Sequence, residues 1–443
     1  MLNSSDKLVK PAKGRTTWRS LLSLRWVIAF LLLLASVMNY VDRQTLSILA
    51  VTIQRDLGIS DAGYARVVQA FQLTYAVMYL LSGRIVDRIG ARLAQTAFMI
   101  WWSVANMLTG LAGGAFSLAF YRALLGIGEP GGYTASAKAV SEWFPTREKG
   151  VAVGMYTMGG TLGAAIAGPS IAFITLAWGW RAAFVVTGAI GLLLGLAWFA
   201  IYRPPGQHRW LGEQERELLA ADGVLERSRQ KAARVSWATL VRLKPMWLVL
   251  LARMVTDPLW YFYLFWFPKY LQDARGFTLA DVGATVWIVF VAADIGALLG
   301  GWLSGRFALR GLAPVEARLK VMTGAALLLT LSFALPLAPG RWWPIALAAL
   351  FAFAHMAWLT CATTLSVDIF PTTVIGSAHG AIGAGSALGG LLSTEIVKWL
   401  VVTYSYKPVF AVMSFLHPLS LLLLLSLLPR AVRAYHATLE KPV

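Results

Sequence analysis

The chain has 443 residues, 58% hydrophobic and 14% charged, at a mean hydropathy of +0.64. So apolar a composition excludes a soluble domain with a single core and points to a polytopic helical membrane protein. The formal charge of +18 would suit a nucleic-acid partner, but the basic residues are distributed for another purpose.

Residues 1–25 form a polar, basic tail, and no small-residue cleavage site follows the first apolar run, so a retained helix is expected rather than a signal peptide. Asn3-Ser4-Ser5 matches a glycosylation sequon, on a tail expected to be cytoplasmic. Spans long enough to cross a bilayer are expected at 26–53, 61–82, 94–113, 115–137, 147–175 and 179–202. A polar linker, 203–244, leads to a second set at 245–271, 279–304, 316–336, 342–365, 373–400 and 404–428, then a C-tail, 429–443. The expected fold is all-α: twelve transmembrane helices in two six-helix bundles. Within the linker, residues 211–219 read as a short amphipathic helix on the membrane surface.

Most of the 39 Lys and Arg fall in the N-tail, the 83–92 loop, the 138–149 segment, the linker, the 305–320 loop and the C-tail. This is the positive-inside pattern with both termini cytoplasmic, plus some attraction to anionic lipid; it is not a nucleic-acid footprint. The single cysteine, Cys361, excludes an internal disulfide and a cysteine-based metal site. No cofactor motif stands up. Gly126-Ile127-Gly128-Glu129-Pro130-Gly131 fits G-x-G-x-x-G but follows no strand.

Charges inside the apolar runs carry the functional signal, because such residues face a hydrated, protein-lined cavity or a buried partner. The first span holds Asn39-Tyr40-Val41-Asp42-Arg43-Gln44, with Asn39 and Arg43 one turn apart. Tyr75 and Tyr79 form a polar-tipped stripe on the second. On the fourth, Arg122 and Glu129 share a face about 10 Å apart, and Tyr133 and Ser136 continue it. If the first, second and fourth spans line a cavity, these groups make a site of two cations, two acids and hydroxyls. The other reading of Arg122 and Glu129 is a helix-pinning ion pair. In the seventh span Arg253 and Asp257 are spaced to pair, and Trp260, Tyr261 and Tyr263 either pack or touch a solute. Asp294 is an intramembrane acid without an assigned partner; His355 and His379 either relay protons or satisfy interhelical hydrogen bonds.

The halves echo one another. Glu142-Trp143-Phe144-Pro145-Thr146, then Gly150 and Gly154, return 226 positions later as Asp368-Ile369-Phe370-Pro371-Thr372, Gly376 and Gly380. The loop Gly83-Arg84-Ile85-Val86-Asp87-Arg88-Ile89-Gly90-Ala91-Arg92 has a degraded copy beginning Gly301-Trp302-Leu303-Ser304-Gly305-Arg306. Two parallel six-helix repeats with a solute site between them is a transporter plan. Asp87 is placed to face the positive end of a helix starting near Thr372-Thr373; the alternative is a solvated loop charge.

Over residues 25–430 the chain resembles the major facilitator superfamily, and within it the anion:cation symporter family and its hexuronate transporter branch. The resemblance is carried by the 83–92 signature, residues 39–44, 121–129 and 142–145, and 257–266. It departs at Pro130-Gly131-Gly132-Tyr133-Thr134 and at Gly305, where an acid is expected. The resemblance implies a monomeric, multi-pass protein of the cell inner membrane, without cofactor, metal or nucleic acid, that takes up an organic anion with protons. A hexuronate or related sugar acid is the expected substrate, with another carboxylate, a drug:proton antiport or a non-transporting sensor as alternatives. Arg43 is expected to grip the substrate carboxylate, with Asn39, Tyr75, Tyr79, Tyr133, Trp260 and Tyr261 around it. Asp42 and Glu129 are expected to carry protons, tuned by Arg122. Gly83, Asp87, Arg88 and Arg92 are expected to gate.

Overall fold

The structure, a computed structural model, describes residues 23–229 and 240–439. The Asn3 sequon, most of the N-tail, the middle of the linker and the end of the C-tail lie outside the described residues. The first half comprises α1 (Leu24–Ile48), α2 (Ala50–Leu57), α3 (Asp61–Thr109), α4 (Ala115–Trp143), α5 (Thr146–Trp178) and α6 (Trp180–Ile201). Linker helices α7 (Glu213–Ala221) and α8 (Val224–Arg229) follow. The second half comprises α9 (Lys244–Thr256), α10 (Pro258–Phe265), α11 (Phe267–Arg275), α12 (Leu279–Leu309), α13 (Pro314–Leu329), α14 (Trp342–Ile369), α15 (Ile375–Thr403) and α16 (Lys407–Leu439).

Among the described residues, eight helices are long and apolar enough to cross a membrane, and a bent pair makes a ninth. One expected span is broken and another pair is joined without a loop between them. The spans expected at 61–82 and 94–113 lie on two helices joined directly at a kink within α3, where the backbone leaves helical geometry at Gly90 (φ 81, ψ 162). That conformation favours glycine because a Cβ would be strained there. The seventh span, expected as one helix over 245–271, is broken into α9, α10 and α11, with a 57° bend at the last joint. Pro258 and Pro268 each lack an N–H, and each ring clashes with the preceding turn, so the helix restarts at both.

Glycines bring the halves together. α5 packs on α12 and α3 on α15. A Cβ on Gly83 would lie 2.0 Å from the Gly376 carbonyl, and one on Gly150 2.7 Å from the Gly301 carbonyl. Small residues permit this backbone approach. Gly305, where an acid is expected, sits against the Arg147 carbonyl with no room for any side chain: an added Cβ would be 2.2 Å from it. These contacts cluster at the end of the molecule that carries the 83–92 and 138–149 loops, and they close it. The described part of the linker docks on that end. Arg25 bridges Glu148 at 2.6 Å and Glu215 at 2.9 Å, and the Thr146 amide donates to Asp222 at 3.0 Å.

Candidate functional site

Three helices of the first half converge on Glu129. It rides on α4, is fully buried, and accepts two hydrogen bonds on Oε2 from Arg43 of α1, at 3.0 and 2.7 Å. Arg43 also donates to Asn39 Oδ1 at 3.1 Å, and Asn39 donates to the Glu129 carbonyl at 3.2 Å. The turn spacing of Asn39 and Arg43 makes this closed set possible. The Arg43 guanidinium lies over the rings of Tyr75 (4.7 Å) and Tyr40 (4.9 Å), a cation–π arrangement that steadies it without neutralising it. About a quarter of the Arg43 side chain stays accessible, 26%, whereas Glu129 has none. The pair therefore opens on the arginine side. A buried carboxylate so paired is costly to strip of its partner.

Tyrosines form the walls. Tyr75 meets Tyr79 edge-on at 5.5 Å, Tyr79 stacks on Tyr133 at 6.4 Å, and the Tyr133 hydroxyl reaches Ser36 at 3.4 Å. Tyr79 also lies against the place a Cβ of Gly383 would take, so it inserts into the second half. Tyr261, from the second half, lies within electrostatic reach of Tyr75, Tyr40 and Arg43, and its ring lies against Gly390. A cavity with room for about one water is lined by Ser36, Asn39, Gln95, Tyr133 and Ser136.

Asp42 does not share this space. It points away from Arg43 into the first bundle, where Asn106 of α3 donates to it at 2.7 Å. The same amide nitrogen lies 2.8 Å from Thr187 Oγ1 and 3.3 Å from the Phe184 carbonyl, both on α6. Arg122, fully buried, pairs with neither acid side chain; it donates to the backbone carbonyls of Asp42 and Arg43, each at 3.3 Å. It thereby links the turn bearing the acid to the turn bearing the arginine. The helix-pinning ion pair is made by Arg43 instead.

In the second half, Arg253 donates twice to Asp257 Oδ2, at 3.1 and 2.8 Å, and Ser386 bonds the same oxygen. Trp260 is nearly buried, stacked on His355 at 6.1 Å, and His355 shares a 3.1 Å hydrogen bond with His417. His379 bonds Ser366 at 3.0 Å. Asp294 gains a partner from the opposite half, Thr161.

Of the expected gating residues, two reach the other half. Gly83 contacts Gly376, and Asp87 accepts from the amides of Gly376 (2.9 Å) and Ser377 (2.7 Å) at the start of α15. Burial raises the Asp87 carboxyl above the usual range, and Lys138 at 3.6 Å with those amides pulls it back. Arg92 stays within its own half, donating to the Phe199 carbonyl at 3.0 and 2.8 Å, and Arg88 is exposed. Sequence reasoning missed the rest of this closure. Lys138 donates to the Thr372 carbonyl at 2.6 Å, Lys149 lies 3.4 Å from Asp368, and Arg318 joins Asp368 (3.0 Å) to the Thr146 carbonyl (2.9 Å). The available signal was charge at span ends next to the repeated Phe-Pro-Thr motif.

The model of the Major Facilitator Superfamily matches residues 32–394. The hexuronate transporter of Escherichia coli K12 is 30% identical over 397 residues, covering 89% of this chain and 92% of the relative. The D-galactonate transporter of Escherichia coli O6:H1 is 29% identical over 398 residues, covering 88% and 92%. Among solved structures, a proton:xylose symporter superposes with a TM-score of 0.72 at 16% identity, over 92% of this chain and 96% of that one, a likeness of fold.

Proposed function

Because this chain belongs to the Major Facilitator Superfamily, we propose that it is a proton-coupled uptake transporter for an organic anion, a hexuronate or related sugar acid. Twelve spans in two bundles, both termini cytoplasmic, would sit as a monomer in the cell inner membrane and work by alternating access. The observation that carries this reading is the buried Arg43–Glu129 pair with its accessible guanidinium face. An incoming carboxylate can compete for that fork, which suits two oxygens. Glu129, released from Arg43, then takes a proton, since a lone buried carboxylate is costly. Asn39 and the hydroxyls of Tyr75, Tyr133 and Tyr261 supply bonds to sugar hydroxyls. Trp260, stacked on His355, shapes the wall instead of meeting the solute face-on.

The end closed by Asp87 and Asp368 corresponds to the cytoplasmic side under the positive-inside assignment, so a solute would reach the accessible face of Arg43 from the opposite side. Asp87 on the α15 amides acts as a latch that must release for the solute to leave. Sequence identity does not choose among sugar acids, since relatives named for hexuronate and galactonate stand at 30% and 29%. The test is uptake into proteoliposomes under an inward proton gradient, with glucuronate, galacturonate, galactonate and glucarate. Accumulation of at least one, collapsed by a protonophore and absent for neutral glucose, is expected. No flux of any acid would overturn the proposal, and efflux of apolar cations instead would point to a drug antiporter.

A further inference from the structure

The proposed proton carrier Asp42 has a partner that the substrate site does not use. Asp42, Asn106 and Thr187 are all buried within the first bundle, Asp42 and Asn106 completely. The orientation of the Asn106 amide is fixed by the Phe184 carbonyl, which can only accept, so the nitrogen must face it. That nitrogen also donates to Asp42 Oδ1. Two oxygens are left over: Asp42 Oδ2 and Asn106 Oδ1 have no hydrogen-bond partner. Two orphan acceptors on directly bonded groups, at a fully buried place, are costly. A single proton removes the conflict. Placed on Asp42 Oδ2, it turns one acceptor into a donor, and the carboxylic acid and the amide can close a ring of two hydrogen bonds, N–H to Oδ1 and O–H to the amide oxygen.

We propose that Asn106 is a positioning residue for the transported proton: its amide pairs fully with Asp42 only when Asp42 is protonated. The step is a simple transfer, in which hydronium gives its proton to Oδ2 and leaves as water, and the reverse occurs on release. The charged groups around Asp42 are Arg122 and Glu129 from α4 and Arg43 on its own helix; α3 and α6 bring the amide, a hydroxyl and a carbonyl. Arg122, on the carbonyls of Asp42 and Arg43, ties this site to the substrate pair. The inference rests on the proposed role of Asp42 and adds the partner that reads its protonation state.

The test exchanges the pair in full-length protein in proteoliposomes, with galacturonate as probe. Asp42→Asn is expected to lose gradient-driven accumulation at least tenfold while keeping counterflow. Asp42→Asn combined with Asn106→Asp restores an acid–amide pair with the acid on α3, and is expected to regain at least a third of the accumulation. Asn106→Leu, similar in size but unable to hydrogen-bond, is expected to move the pH of half-maximal uptake by a unit or more, with KM in counterflow changed less than twofold. An exchanged pair that performs counterflow without accumulating overturns the role of Asn106. Should that pair not fold, an Asn106→Leu pH profile superimposed on the wild type overturns it equally. Normal accumulation by Asp42→Asn alone would instead remove Asp42 from coupling, and the inference with it.

Discussion

Replacing Glu129 by Gln is expected to abolish proton-driven accumulation while leaving counterflow within about twofold of wild type. Gln keeps the volume and a carbonyl oxygen for the Arg43 bond, so the fold and the approach of substrate survive. It cannot take up a proton, so the coupled cycle has no carrier beside the arginine. An imposed gradient of one pH unit supports about a tenfold concentration ratio per transported proton, since one unit is about 1.4 kcal/mol. The variant should reach a ratio near one. Accumulation and counterflow of the same labelled sugar acid, measured on the same vesicles, separate the two effects; unchanged accumulation would remove Glu129 from the mechanism.

Truncating Arg43 should cost more, because both modes of transport need it. Arg43→Ala leaves Glu129 buried without its ion-pair partner, a loss of about 3–5 kcal/mol for such a pair, and counterflow should fall at least about a hundredfold. Arg43→Lys keeps the charge but loses the planar fork, the three-way bonding to Glu129 and Asn39, and the stacking on Tyr75. An intermediate loss of about tenfold is expected, seen chiefly in KM, about 1.4 kcal/mol. Equal activity of the Lys variant would mean that only a positive charge is read there.

Much of this site was open to sequence reasoning because it obeys helical spacing. Asn39 and Arg43 sit one turn apart and together hold Glu129, and the tyrosine pair on α3 follows the same rule. Asp42 shows where spacing was not followed far enough. Neighbouring residues on a helix point about 100° apart, so Asp42 and Arg43 cannot both face one cavity. The acid turns into the bundle, and its partners come from α3 and α6, whose packing no local pattern reveals. An amide within the apolar run 94–113, which also holds Gln95, is the one signal for Asn106. The seventh span breaks for a simpler reason: its apolar pattern continues through Pro258 and Pro268, but the helix does not. Asp87 was placed correctly in kind because a buried helix start needs an acceptor, whereas Lys149, Arg318 and Asp368 meet only when the halves close.

Proton movement itself is the most direct measure of the central claim, that a carboxylate solute and a proton exchange places around Arg43 and Glu129. Galacturonate added outside weakly buffered proteoliposomes should make the external medium transiently alkaline in step with labelled uptake, and Glu129→Gln should abolish the pH change. Uptake of the acid at the wild-type rate with no alkalinisation would contradict the account.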